Sequence, residues 1–173
     1  GESAANNKTS RYIGGYAAYD NGPLSVSVGM DKNNGSLTAV NTDRTQVSLG
    51  ASYDLGMVKL SGLAQQVKYE NVASSNTTDK FNNYALGVSA PVGPGTVKAQ
   101  YAFYDTKDTK ADAQQLSVGY VYDLSKRTAV YGTVAFMKNT TGSARGRGAS
   151  GLALTAATGE NQTGFQAGIR HAF

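Results

Sequence analysis

The chain has 173 residues, a formal net charge of +4, 21 glycines, 11 tyrosines, and neither cysteine nor tryptophan. Zero cysteine excludes disulfide staples, thiolate zinc sites and cysteine nucleophiles. The basic residues are scattered without the clustered stripe of a nucleic-acid binder, so no nucleic-acid partner is expected. No apolar run approaches the roughly 20 residues of a membrane helix, whereas a membrane strand needs only about 9–11 alternating residues.

Alternation of apolar and polar residues recurs from end to end. It begins with weak contrast over 11–20. In Leu24–Met30 it places Leu24, Val26, Val28 and Met30 on one face and Ser25, Ser27 and Gly29 on the other. Val47, Leu49, Ala51 and Tyr53 then oppose Ser48, Gly50 and Ser52. After a less contrasted stretch at 57–68, Tyr84, Leu86, Val88 and Ala90 oppose Asn83, Ala85, Gly87 and Ser89. Val97, Ala99, Tyr101 and Phe103 oppose Lys98, Gln100, Ala102 and Tyr104. Leu116, Val118, Tyr120 and Tyr122 oppose Gln115, Ser117, Gly119 and Val121. A weaker segment at 128–138 follows. In the last, Phe165, Ala167, Ile169, His171 and Phe173 oppose Gln166, Gly168 and Arg170. This predicts an all-β chain of about nine strands near ten residues each.

The connections alternate in length. Asn21-Gly22, Leu55-Gly56, Val92-Gly93-Pro94-Gly95 and Leu124-Ser125-Lys126 are short, and glycine and proline there supply tight-turn backbone angles. The links near 31–44, 69–80, 105–112 and 139–161 are long and polar. Short turns at one end and long loops at the other fit an antiparallel up-and-down transmembrane barrel, and residues 1–173 read as one such segment with no linker.

Three features place the apolar face outside. The opposite face is mostly Ser, Gly, Gln, Asn and Ala, which suits a wet lumen. Tyr19, Tyr53 and Tyr122 stand just before short turns, and with Phe173 they form an expected interface girdle. The chain also stops on an aromatic residue that closes its final strand.

On this phase Lys59, Lys98 and Arg170 face the lumen near the turn end, and Asp31, Asp54 and Asp123 share their parity near strand ends. Basic side chains on a pore wall bias it toward anions, so a mild anion preference is expected. Arg145 and Arg147 lie in the longest loop, where contact with lipopolysaccharide phosphates is one reading and simple solubility the other. Four Asn-X-Thr triplets, beginning with Asn7-Lys8-Thr9, reflect loop composition. His171, the lone histidine, falls on the lipid-facing parity. With no nucleophile–base set, phosphate-cradling loop or metal cluster, neither enzymatic activity nor a cofactor is expected.

The segment Gln162-Thr163-Gly164-Phe165-Gln166-Ala167-Gly168-Ile169-Arg170-His171-Ala172-Phe173 resembles the final strand of Gram-negative trimeric porins, particularly the β-proteobacterial kind. Tyr122-Asp123-Leu124-Ser125-Lys126-Arg127-Thr128 is similar to that family's turn before the penultimate strand. Tyr19-Asp20-Asn21-Gly22-Pro23 is a weaker likeness, and the resemblance runs over nearly the whole chain. It implies a 16-stranded barrel, a homotrimer, and passive diffusion of small hydrophilic solutes. It also implies that the C-terminal strand is read by the barrel assembly machinery. His171 departs from the family pattern, which often has tyrosine there.

A complete bacterial barrel has an even number of strands. The expectation is therefore that this is the C-terminal half, with Gly1 a processed or internal start and about seven strands supplied by an N-terminal half. A complete small barrel of structural or adhesive role is the alternative, and a soluble barrel around an apolar ligand a third.

Overall fold

The computed structural model describes residues 11–34, 42–71, 78–106, 111–140 and 159–172. Nine strands form one sheet in chain order, each antiparallel to the next: β1 (Tyr12–Asn21), β2 (Leu24–Asn33), β3 (Thr42–Asp54), β4 (Lys59–Asn71), β5 (Thr78–Val92), β6 (Gly95–Thr106), β7 (Ala113–Asp123), β8 (Thr128–Asn139) and β9 (Gln162–His171). Among the described residues no helix forms, and β1 and β9 are not paired with each other, so the sheet does not close into a small barrel.

The hairpins follow from their turns. Gly22-Pro23 joins β1 to β2, and Gly93-Pro94 joins β5 to β6. Both glycines adopt the left-handed conformation, at φ 54 and 59, which a side chain disfavours. At the β3–β4 turn Asp54 Oδ1 accepts the N–H of Gly56 at 2.8 Å. At the β7–β8 turn Ser125 Oγ accepts the N–H groups of Arg127 at 3.2 Å and Thr128 at 3.0 Å. These turns fix the register: Val92 faces Gly95, Asp123 faces Ala129 and Asp54 faces Lys59.

Several strands outrun the ten residues expected. β3 and β4 have 13 and β5 has 15. Backbone pairing continues past the point where apolar alternation ends, through Gln66, Lys68, Lys80 and Asn82. Hydropathy marks the apolar band, while the ladder is held by N–H and C=O groups that need no particular side chain.

Cross-strand partners share a face, so the register sorts every residue onto one side or the other. One side carries Val28, Leu49, Leu60, Leu86, Tyr101, Leu116, Phe136, Phe165 and Ile169, all exposed. The buried apolar residues Val67, Ala102, Ala113, Ala129, Ala135 and Met137 all lie on the other, polar side. A water-soluble domain would show the reverse.

Candidate functional site on the concave face

Glycines report the curvature of the sheet. On the polar face, a Cβ at Gly87 would come within 2.5 Å of Ser61 Oγ, one at Gly119 within 2.7 Å of Thr133 Oγ1, and one at Gly168 within 2.5 Å of Tyr131 Oη. Gly15 and Gly132, on the apolar face, have nothing within 4 Å. Side chains converge inside a curved sheet and diverge outside it, so the polar face is the concave one. This crowding also buries alanines as small as Ala129 and Ala135.

The convex apolar band has two sharp limits. At the long-loop end, a polar row crosses the sheet through Gln66, Asn82 and Asp105. Gln66 Nε2 donates to Asn82 Oδ1 at 3.0 Å, and Asn82 Nδ2 donates to Asp105 Oδ2 at 3.2 Å. Just beyond it Lys32 and Asp43 form an ion pair at 3.6 Å. At the turn end, the band closes at Tyr19, Tyr53 and Tyr122, and at His171, whose Nδ1 lies 2.9 Å from Thr128 Oγ1. From Asn82 to Val92 the strand rises roughly 33 Å, and at a typical tilt near 40° this spans about 25 Å, the height of a lipid-facing band.

All six charged residues singled out in the sequence stand on the concave face: Asp31, Asp54, Lys59, Lys98, Asp123 and Arg170. They do not form one cluster. Lys59 faces Ser89, and Ser89 faces Lys98 on its other side, so two lysines bracket one serine in a single ladder row. Both line a groove of about 410 Å³ with Ser61, Gly87, Gln100 and Thr133. Arg170 lies outside this groove, in the row Asp123–Ala129–Arg170. Asp31 is at the opposite end of the sheet, 3.4 Å from the Arg44 guanidinium. Asp54 is occupied by its turn.

Among the described side chains of this face, Arg44, Lys59, Lys98 and Arg170 are balanced by Asp20, Asp31, Asp54 and Asp123. Position matters more than the total. Arg44 is paired with Asp31, whereas Lys59 and Lys98 make no ion pair among the described residues. No carboxylate lines their groove.

Arg44 is a residue that hydropathy reading passes over, because it falls in a polar stretch taken for a loop. Its parity with Gln46 and Ser48 is the signal that places it, and Gln65, Ser48 and Asn83 continue the same polar ladder inward. Of the aromatic positions, Tyr19, Tyr53 and Tyr122 are exposed on the convex face. Phe173, Arg145 and Arg147 lie outside the described residues.

Comparison with known proteins joins this geometry to a family. A family model for Gram-negative porins matches residues 1–142. The sequence is 52% identical over 165 residues to outer membrane porin protein 32 of Delftia acidovorans, covering 94% of this chain and 46% of that protein. It is 32% identical over 150 residues to an outer membrane porin protein of Bordetella pertussis, covering 70% and 39%. The anion-selective porin from Comamonas acidovorans superposes with a TM-score of 0.86 at 52% identity, over 94% of this chain and 49% of that one. OmpT of Vibrio cholerae superposes at 0.69 with 14% identity, over 90% and 53%, a likeness of fold alone. The chain spans about half the length of the curated relatives it matches.

Proposed function

The chain belongs to the Gram-negative porin family, and from that premise we propose that it builds about half the wall of an anion-preferring diffusion channel in the outer membrane. The convex apolar band faces lipid and the concave serine-and-glycine face lines water. Solutes pass by diffusion, and no bond is made or broken on the way.

The observation that carries this reading is the inverted burial, with large apolar side chains exposed outward and small ones crowded beneath a polar inner face. Anion preference rests on Lys59 and Lys98, whose charges stand unpaired on that inner face, with Arg170 extending the positive potential toward the turn end. The 52% identical anion-selective porin from Comamonas acidovorans supports the same sign.

The single-segment reading of residues 1–173 stands with this proposal. In hydrocarbon each unsatisfied backbone group carries a penalty of several kcal/mol, so β1 and β9 pair with further strands that close the barrel. Those strands are the N-terminal half of the same porin. Assembly as a trimer is what the resemblance of the final strand to trimeric porins implies. Tyr19, Tyr53 and Tyr122 sit at the lipid interface, and the last strand carries the assembly signal.

The test is the reversal potential of the assembled channel in a planar bilayer under a potassium chloride gradient. Anion sign is expected. Cation sign, or no conductance from a correctly assembled protein, refutes the proposal.

A further inference from the structure

We propose that the groove between Lys59 and Lys98 is a saturable resting site for a compact divalent oxyanion, with inorganic phosphate its simplest example. This rests on the channel reading above and adds a binding step to it.

Two lysines flank Ser89 in one row, their strands separated by two interstrand spacings, about 10 Å. Each ammonium rides on a flexible four-carbon stem, so both can turn toward one ion held over the serine. The floor beneath is glycine. Side chains at Gly87 and Gly119 would collide with the hydroxyls of Ser61 and Thr133, which lean across the bare backbone instead. The outcome is a shallow cradle with cationic walls and hydroxyl donors, reaching down to main-chain level.

Chloride needs no such array. A dianion with several oxygens can accept from two ammoniums and neighbouring hydroxyls together, and charge-assisted bonds of this kind are the stronger ones. Asp54, directly opposite Lys59, forms no ion pair with that lysine and accepts the Gly56 N–H in its own turn. The groove opens to the inner face rather than enclosing its guest, as conduction requires, since an ion that enters must also leave.

The experiment measures chloride conductance of the assembled channel containing this chain in planar bilayers, with inorganic phosphate added at alkaline pH, where the dianion prevails. Conductance should fall along a saturating curve. Lys98→Gln should raise the half-effect concentration about tenfold, equivalent to one lost charge-assisted contact. Lys98→Arg should largely restore it, and Lys126→Gln, on the β7–β8 turn outside the groove, should leave it unchanged. If Lys98→Gln does not assemble, Lys59→Gln carries the same expectation. A linear phosphate response, or matching titrations for parent and Lys98→Gln, overturns the site. Reversal potentials from the same membranes separate the two claims: anion sign without saturation removes only the resting site, and cation sign removes both.

Discussion

Replacing Leu86 with arginine tests whether hydrocarbon touches the convex face. Leu86 is 71% exposed, so the substitution opens no cavity, and in water such a change would shift stability by less than about 0.5 kcal/mol. Its depth makes the difference. It stands four residues from Asn82, about 13 Å along β5 and so about 10 Å below the polar row in a band of about 25 Å. Arginine near the bilayer midplane destabilises a barrel by about 2–4 kcal/mol, falling to about 0–1 near the interface. Val92→Arg, at the turn end of the same strand, should therefore lose no more than about 1 kcal/mol. Gln100→Arg, on the concave face one ladder step from Gly87, should also lose little. Equilibrium denaturant unfolding in lipid vesicles measures all three. If Leu86→Arg is no worse than Gln100→Arg, the outward face is not in lipid and the channel reading falls with it.

Two further substitutions probe the curvature and the turns. Gly119→Ala places a methyl 2.7 Å from Thr133 Oγ1 and 3.0 Å from the Gly132 carbonyl, and should destabilise by about 1–3 kcal/mol, whereas Gly132→Ala meets nothing and should be near neutral. Parallel unfolding curves decide between convergent and flat inner faces; equal effects would favour a flat sheet. Ser125→Ala removes the hydroxyl acceptor of two turn N–H groups, of which that of Thr128 keeps the Ser125 carbonyl at 3.3 Å, and should lower stability by about 1 kcal/mol or less in the same assay. A loss of several kcal/mol would mean that this turn nucleates more of β7 and β8 than its bonds account for.

The nine strands were legible because most place their large apolar side chains on one exposed face, and period-two alternation follows from that. Legibility failed where both faces of a strand are polar. The stretch from Thr42 through Gln46 has no hydropathic contrast, yet it pairs residue by residue with β4. Arg44 was missed for the same reason. Parity placed all six charged residues on one face but could not show which of them meet. That needs register, and register across β4 and β5 passes through a connection whose length hydropathy does not fix. The Ser89–Lys98 half of the bracket was in principle readable, since the two-residue Gly93-Pro94 turn pins Val92 to Gly95. Curvature was not legible at all. It emerges only when Gly87, Gly119 and Gly168 are compared with Gly15 and Gly132 in space.

The unequal strand lengths bear on the wall of the proposed channel. Among the described residues the β3–β4 hairpin carries its ladder over 13 rungs to Thr42 opposite Asn71, and the β1–β2 hairpin over 10 to Tyr12 opposite Asn33, with the Asn34 N–H donating to the Arg11 carbonyl at 2.9 Å just beyond. With the turns level, two to three extra rungs raise the described part of that hairpin by roughly 5–8 Å. In the channel proposed above, the wall described by β3 and β4 would stand higher than that described by β1 and β2, and a solute passing over it would meet more protein.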